Sequence, residues 1–388
     1  MPHVMTFVVF VKDRRFSRTL LAALNLSHRR PMRWRSLPVT LLYLIPMALV
    51  SCADPVNPNL PYPPSPNIRT VEFEFGTHVR QASGSDNWPL TWAANGHQYT
   101  SWGDGGGFGG NNINGRVSLG VARVEGERTD HTGTNVWGGK DPENPAQFGG
   151  KSYGILSLDG VLYMWVSPGS GVTNYEEARL AWSKDHGATW TLSEWAFTDA
   201  DAIVLPAFLQ FGKDYAGARD EYVYTYAIHL MENEDLKVQI PGQIDLMRVP
   251  RGSILARSSY EFFAGLRAAG SPSWTEEYAR REPVFEDPNG VGWTVSVSHN
   301  AGVGRYLLMT EHDESFKGNL GIFDAPEPWG PWTTVDYLDG FAVPGDRASA
   351  FYWNFSNKWL SEDGKSFVLV FTGVGENDSW NLVEGTFR

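Results

Sequence analysis

The sequence predicts an all-β protein, a five-bladed β-propeller closed by an N-terminal strand. Aromatic residues make up 13% of the 388-residue chain and glycine fills 41 positions, while helical periodicity is almost absent. Short alternating segments separated by turn signals dominate instead. Five times, at spacings of roughly 50 to 70 residues, a strand, a tight turn and a returning strand that ends in small polar residues follow one another.

Each element can be justified in turn. Residues 70–76, TVEFEFG, alternate without a break and belong to no complete unit. The first unit runs from Trp88 to Ala94, turns at Asn95-Gly96 and returns from His97 to Gly103. The second runs from Ser152 to Leu158, turns at Asp159-Gly160 and returns from Val161 to Val166. The third pairs Pro206 to Phe211 with Tyr222 to Ile228, and the fourth pairs Trp293 to Ser298 with Tyr306 to Thr310. In the fifth, Phe351 to Phe355 comes back through SEDGK as Phe367 to Thr372. Asn-Gly and Asp-Gly suit two-residue hairpins because both central positions take positive φ. Four-stranded blades around a central channel fit this spacing. The last unit is one strand short at WNLVEGTFR, and the N-terminal strand would complete it. A pair of packed sandwich sheets is the architectural alternative.

The chain's beginning stands apart from this pattern. From Met32 it reads MRWRSLPVTLLYLIPMALVSC, a basic start, an apolar run of signal length and then Leu49-Val50-Ser51-Cys52. That ending is similar to the lipobox of bacterial lipoproteins, whose cysteine carries the lipid. Cys52 is the single cysteine, so no internal disulfide is expected. Residues 1–51 are therefore assigned to a signal region with its start placed at Met32, and Cys52 to lipidation, which predicts an extracytoplasmic protein anchored to a bacterial membrane. Residues 52–69 contain six prolines and read as a stiff, extended tether, and residues 70–388 form the body. Residues 1–51 hold eight of the 32 basic side chains and one of the 44 acidic ones, so the rest of the chain carries a net charge of −19. Such a surface repels phosphate backbones, which argues against nucleic acid as a partner. A monomer is expected.

In a propeller, the start of a blade's first strand and the end of its second lie together on one face beside the channel. That logic gathers Asp86, Trp88 and the loop Asp104-Gly-Gly-Gly-Phe108 on one face. Lys151, Tyr153, Asn174, His229, Asp287, Glu311, His312 and Asp378 fall there too, while Lys213, Asp214, His299 and Asp363 fall on the other. The segment Ser183-Lys-Asp-His-Gly-Ala-Thr-Trp190 has the S-x-D-x-G-x-T-W form of the sialidase Asp-box. It is read as a structural hairpin, because no arginine cluster for a sugar carboxylate accompanies it.

The stretches GDGGGF, YEFFAGL, REPVFEDPNGVGWTVSVSHNAGVGRYLLMT and APEPWGPW resemble a bacterial secreted family long labelled a domain of unknown function, over most of residues 70–388. The block from Arg281 to Thr310 is the most specific part. The resemblance implies a five-bladed propeller similar to glycosidases, with one branch of endo-D-arabinanases, and it implies a sugar-cleaving scaffold more firmly than arabinan as the substrate. The family's two acidic positions, one before the first tryptophan and one in the G-D-G loop, match Asp86 and Asp104.

Glycoside hydrolysis needs one carboxylic acid to protonate the leaving oxygen and one carboxylate to act as base or nucleophile. Asp86 and Asp104 fit by position, and the glycines at 105–107 are expected to let substrate approach Asp104. On their own, Ser-Asp-Asn and Asp-Gly are also ordinary turn residues. Lys151, Asp287, Glu311 and His312 are candidates for substrate binding, as are the aromatic rings of Trp88 and Phe108 by stacking. Metal-ligand spacings and phosphate loops are absent, so no cofactor is expected, although a structural calcium in the channel is compatible with the architecture. The function expected is a glycoside hydrolase of a cell-wall or environmental polysaccharide, with a non-catalytic glycan- or protein-binding propeller as the alternative.

Overall fold

The computed structural model describes residues 59–168, 177–231, 237–347, 350–373 and 378–388. The signal region, Cys52 and Asn174 lie outside the described residues. Among the described residues there are 23 β-strands and no α-helix.

After β1 (Val71–Gln81), five antiparallel meanders follow in chain order. The first is β2 (Leu90–Trp92), β3 (Gln98–Gly103), β4 (Leu119–Glu125) and β5 (Thr132–Trp137). The second is β6 (Gly150–Leu158), β7 (Val161–Pro168) and β8 (Glu177–Ser183), whose outer edge carries the short β9 (Thr191–Leu192) and β10 (Phe197–Thr198). The third is β11 (Ile203–Gln210), β12 (Tyr222–His229), β13 (Gly242–Pro250), β14 (Glu261–Leu266) and β15 (Pro272–Thr275), with β16 (Phe285–Asp287) also on β13. The fourth is β17 (Val295–Asn300), β18 (Arg305–Glu311), β19 (Leu320–Ala325) and β20 (Thr333–Leu338). The fifth is β21 (Tyr352–Phe355), β22 (Ser366–Thr372) and β23 (Trp380–Phe387), and β1 pairs antiparallel with β23 from Val71↔Phe387 to Gln81↔Trp380.

The first strand of every meander is its inner one. Leu90, Tyr153, Ala207, Ser296 and Tyr352, one from each, line a single narrow cavity. Hydrogen bonds cross it: Tyr352 Oη donates to Tyr153 O at 2.8 Å, Gln210 Nε2 to Ile155 O at 2.9 Å and Asn354 Nδ2 to Trp88 O at 3.2 Å. Parallel pairing of Leu209 with Val297 joins the third and fourth meanders.

Successive sheets bury apolar faces against each other, which explains why strands such as β3 and β6 are buried at every residue instead of alternating. Ile155 and Met164 of the second sheet meet Val121 and Trp137 of the first. Val368 and Trp380 of the fifth meet Trp88 and Trp102 of the first.

Turn chemistry follows the sequence at Asp159-Gly160, where φ is 52° and 77°. At Asn95-Gly96 only Gly96 takes positive φ, 88°, and the Ala93 N–H bonded to His97 O closes a three-residue loop. The Asp-box hairpin is held as expected, with Asp185 accepting from Thr189 N at 2.9 Å and the Trp190 indole donating to Gly187 O at 3.0 Å. Residues 59–69 depart from the expected tether and lie along the fourth sheet. Ser65 N donates to Thr334 O at 2.7 Å, and the Tyr62 ring packs 5.1 Å from Phe285. A tyrosine among prolines supplies an anchor that composition alone conceals.

Candidate active site

Asp86 sits four residues before β2 and forms an antiparallel bridge with Gly103, the last residue of β3. Asp86 N donates to Gly103 O at 2.9 Å, and Gly103 N donates to Asp86 O at 2.8 Å. Asp104 follows directly, so the two acids stand across one ladder. The side-chain space of Gly103 is already taken: a β-carbon there would lie 2.5 Å from Asp86 Oδ1, 2.6 Å from Asn87 Nδ2 and 3.1 Å from Lys151 Cδ. Gly103→Ala is therefore expected to leave the fold intact and lower turnover by about 10- to 100-fold, through roughly an ångström of misplacement of the Asp86 carboxylate. Steady-state kinetics beside a thermal melt check it, and unchanged kcat would show that this carboxylate's position is unimportant.

Two cations hold Asp104. Lys151 Nζ, reaching across from β6, lies 2.7 Å from Oδ1, and Arg116, from the loop between β3 and β4, lies 3.1 Å from Oδ2. Asp86 has no such pair among the described residues and accepts instead from Asn87 Nδ2 at 2.9 Å. Burial raises its pKa to about 7, with Asp104 adding to the rise and Lys151 and Arg116 opposing it. A third carboxyl, Asp378, is raised to about 8 by burial and by the charges of Asp86 and Asp104. Its backbone oxygen accepts from Gly84 N at 2.5 Å, which ties the start of β23 to the loop before Asp86. The environments thus separate an aspartate paired with two cations from two carboxyls whose pKa values burial raises to about 7 and about 8.

The backbone around this group is strained. Asn87 and Trp88 both take left-handed φ, 69° and 68°, as does Asp104 at 51°. Such a conformation in a tryptophan costs on the order of 1–3 kcal/mol and persists where surroundings enforce it. Trp88 is fully buried, 5.4 Å from Trp380 and 5.6 Å from Phe108.

That burial corrects two expectations. Trp88 and Phe108 are core rings packed between the first and fifth sheets, and neither offers a face to a sugar. The glycines at 105–107 also serve packing: a β-carbon at Gly105 would meet Gly84 O at 2.2 Å, and one at Gly107 would meet Asn135 Oδ1 at 2.4 Å. Asn135 clamps the loop, accepting from Phe108 N at 2.9 Å and donating to Phe108 O at 3.0 Å.

The other candidates form separate groups on the fourth meander and beside it. Asp287 is buried, accepts from Tyr337 Oη at 2.9 Å and has its pKa raised by burial. His312, expected to bind substrate, is fully buried, stacked 3.7 Å from Tyr337, with Nε2 3.2 Å from Leu338 O. Glu311 is also fully buried. It accepts from Phe316 N at 2.8 Å, and burial raises its pKa well above the ordinary carboxylate range. His312, Asp313 and Asp339 bring possible ligand atoms within 4.8 Å of one another, but His312 Nδ1 already lies 2.6 Å from Asp313 Oδ2. The central cavity's lining contains no carboxylate. His229, on the expected face, lies 3.2 Å from Asp245, which also pairs with Arg281 at 2.6 Å.

Arg116 carries no motif that would single it out, and Gly103 and Asn87 stand in the GDGGGF and Ser-Asp-Asn stretches without a role assigned to them from the sequence. Asp378 was placed on the right face by strand counting, yet only the fold reveals its coupling to Asp86.

A family model described as a domain of unknown function (DUF4185) matches residues 153–372, more than half of the chain, in a segment that begins after Asp86, Asp104 and Lys151 and ends before Asp378. No curated protein matches the sequence. Among solved structures, a protein of Bacteroides ovatus ATCC 8483 provisionally described as a hydrolase superimposes with a TM-score of 0.51 at 12% identity, covering 83% of this chain and 93% of its own. A GH43_1 enzyme from Xanthomonas citri follows at 0.47 and 13% identity, covering 80% and 91%. An α-L-arabinofuranosidase from Podospora anserina in complex with cellotriose gives 0.43 and 10% identity, covering 83% and 95%. The first likeness shows a shared fold.

Proposed function

The chain belongs to the DUF4185 family, and from that premise we propose that it is a glycoside hydrolase acting on a cell-wall or environmental polysaccharide. The observation that carries this reading is the pairing of Asp86 and Asp104 in opposed environments across one ladder. Asp86 serves as the acid: it gives its proton to the glycosidic oxygen as the bond from that oxygen to the anomeric carbon breaks. Asp104, held as a carboxylate between Lys151 and Arg116, either attacks the anomeric carbon or takes a proton from the attacking water. Asp378 keeps a proton beside them and spares the site a third negative charge.

The finer reading is an endo-acting enzyme similar to the D-arabinanases, on a five-bladed ring in which the five meanders are the blades and β1 is the outer strand of the last. Cys52 is proposed as the lipid attachment point that holds the monomer at a bacterial membrane, outside the cytoplasm.

Purified protein incubated with arabinogalactan and with other wall glycans is expected to generate new reducing ends. Absence of turnover on every glycan, with binding retained, would remove the hydrolase reading in favour of a binding propeller. Because the acid must keep its proton, kcat/KM is expected to fall on the basic side with an apparent pKa near 7. Lys151→Met removes an ammonium that lowers the Asp86 pKa, so that limb is expected to move upward. A basic limb unaffected by the substitution would assign the acid to another group.

A further inference from the structure

The loop between β3 and β4 leaves the site at Asp104 and comes back to it at Arg116, whose guanidinium lies 3.1 Å from Asp104 Oδ2. Glycines make that return possible. A β-carbon at Gly106 would lie 2.2 Å from Asn114 O, and one at Gly110 would lie 2.6 Å from the Gly106 backbone. Gly115 packs as closely on Lys140, where a β-carbon would come within 2.5 Å of Lys140 Cα. The glycine run thus lets residues 111–116 fold back onto residues 106–110.

Hydrogen bonds fix the tip of the loop. Asn111 Oδ1 accepts from Ile113 N at 2.8 Å and from Asn114 N at 2.7 Å, and Asn111 N donates to Asn114 O at 3.1 Å. Asn112 packs on Gly84, two residues before Asp86, where a β-carbon would lie 2.6 Å from Asn112 N. Its side-chain oxygen accepts from Arg116 Nη1 at 2.7 Å. The tip therefore touches the segment that carries one aspartate and, through Arg116, the side chain of the other.

Two side chains of this loop are held open to solvent beside the acids. Arg116 is 46% exposed, whereas Lys151, the other cation on Asp104, is 9% exposed. The arginine thus occupies the solvent side of Asp104, from which a substrate reaches the carboxylate. A guanidinium has five N–H donors, and the contacts with Asn112 and Asp104 leave Nε–H and further N–H groups without a partner among the described residues. Ile113 is 92% exposed, the most exposed large apolar side chain among the described residues. A single exposed isoleucine is ordinary on a surface. Here it is the neighbour of Asn112 on a loop fixed by hydrogen bonds, and its position relative to the acids is set.

We propose that this loop is a preformed substrate-binding lip of the hydrolase site. Arg116 donates to hydroxyl oxygens of the sugar whose bond is cleaved, and Ile113 lies against the C–H face of the next sugar along the polymer. Asn112 is a positioning residue that keeps the guanidinium in place. The proposal rests on the hydrolase reading above and names the residues that hold its substrate.

Steady-state kinetics of the full chain on a soluble glycan, resolved into KM and kcat and followed over pH, test the lip. Ile113→Ser, at a position free of packing, is expected to raise KM about three- to tenfold, with the loss falling on KM and not on kcat. Arg116→Lys keeps the charge beside Asp104 and loses the fork of donors. It is expected to raise KM about tenfold or more while the basic limb of kcat/KM stays in place. Arg116→Met is expected to raise KM and also to move that limb upward, because Arg116 lowers the pKa values of Asp86 and Asp378. Asn112→Ala, which removes the acceptor of Nη1, is expected to reproduce part of the Arg116→Lys effect in a chain whose thermal melt shows it folded. KM within about twofold of the wild type in both Ile113→Ser and Arg116→Lys, in a chain that hydrolyses glycan, overturns the lip and leaves the hydrolase reading standing. A fall in kcat alone in Arg116→Lys assigns the arginine to Asp104 and overturns its contact with substrate. Absence of hydrolysis of every glycan by the native chain overturns the inference together with the reading beneath it.

Discussion

Asp104→Asn is expected to cut the release of reducing ends by about a thousandfold or more while glycan binding survives. The amide keeps the shape of the carboxylate and loses the charge that stabilises the anomeric centre or activates water. It also leaves Lys151 without its counter-charge, and that side chain is only 9% exposed. Removing one partner of a largely buried pair destabilises on the order of 1–3 kcal/mol, below the buried-pair extreme because Asp104 itself retains solvent contact. The kinetic measurement therefore belongs at a temperature well below the variant's melting midpoint. A folded variant that retains a tenth or more of wild-type turnover would show that Asp104 takes no part in the chemistry.

Asp86→Asn is expected to be equally inactive yet more stable than the wild type in alkaline solution. The folded-state pKa of Asp86 is raised to about 7 from an ordinary value of 3.8, so the folded chain binds the proton more tightly than the unfolded one. The stability linked to this group is thus fully present below about pH 4 and is lost as pH rises towards 7. Asn cannot ionise and escapes that loss. The full shift corresponds to about 4 kcal/mol, and the part expected in measurement is about 1–3 kcal/mol because the group keeps some contact with water. Asp378, raised to about 8 in part by Asp86, should also be relieved in the variant. Urea unfolding at pH 5 and pH 9 reads the effect. Curves that decline in parallel for both proteins would show that Asp86 ionises freely, and would remove the basis for its role as acid. A site residue whose loss stabilises the fold is the expected signature of geometry held for function.

Much of this arrangement could be read from the chain. The turn at Asp159-Gly160, the alternation of Val71 to Phe75 and the Asp-box hairpin are local features, each determined by a handful of neighbouring side chains. Strand counting placed Asp86 and Asp104 together because a ladder of fixed geometry links the start of one strand to the end of the next. The aromatic candidates failed for a complementary reason. Trp88 and Phe108 carry the composition of a sugar platform, but both stand in loop segments that pack against Trp380 and its neighbours of the fifth sheet, and sequence alone does not say which loop aromatics are enclosed in this way. Glu311 and His312 are likewise fully buried, His312 against Tyr337 of β20.

By itself, the sequence determined the all-β class and the adjacency of Asp86 and Asp104, both consequences of interactions over a few dozen residues. Only the tertiary structure decided what distinguishes those two acids. Lys151 comes from the next sheet and Asp378 from the opposite end of the chain, and the pKa of Asp86 depends on burial by segments hundreds of residues apart. Electrostatic environment is a property of three-dimensional distance and excluded water, and neither is written in any local stretch of the chain.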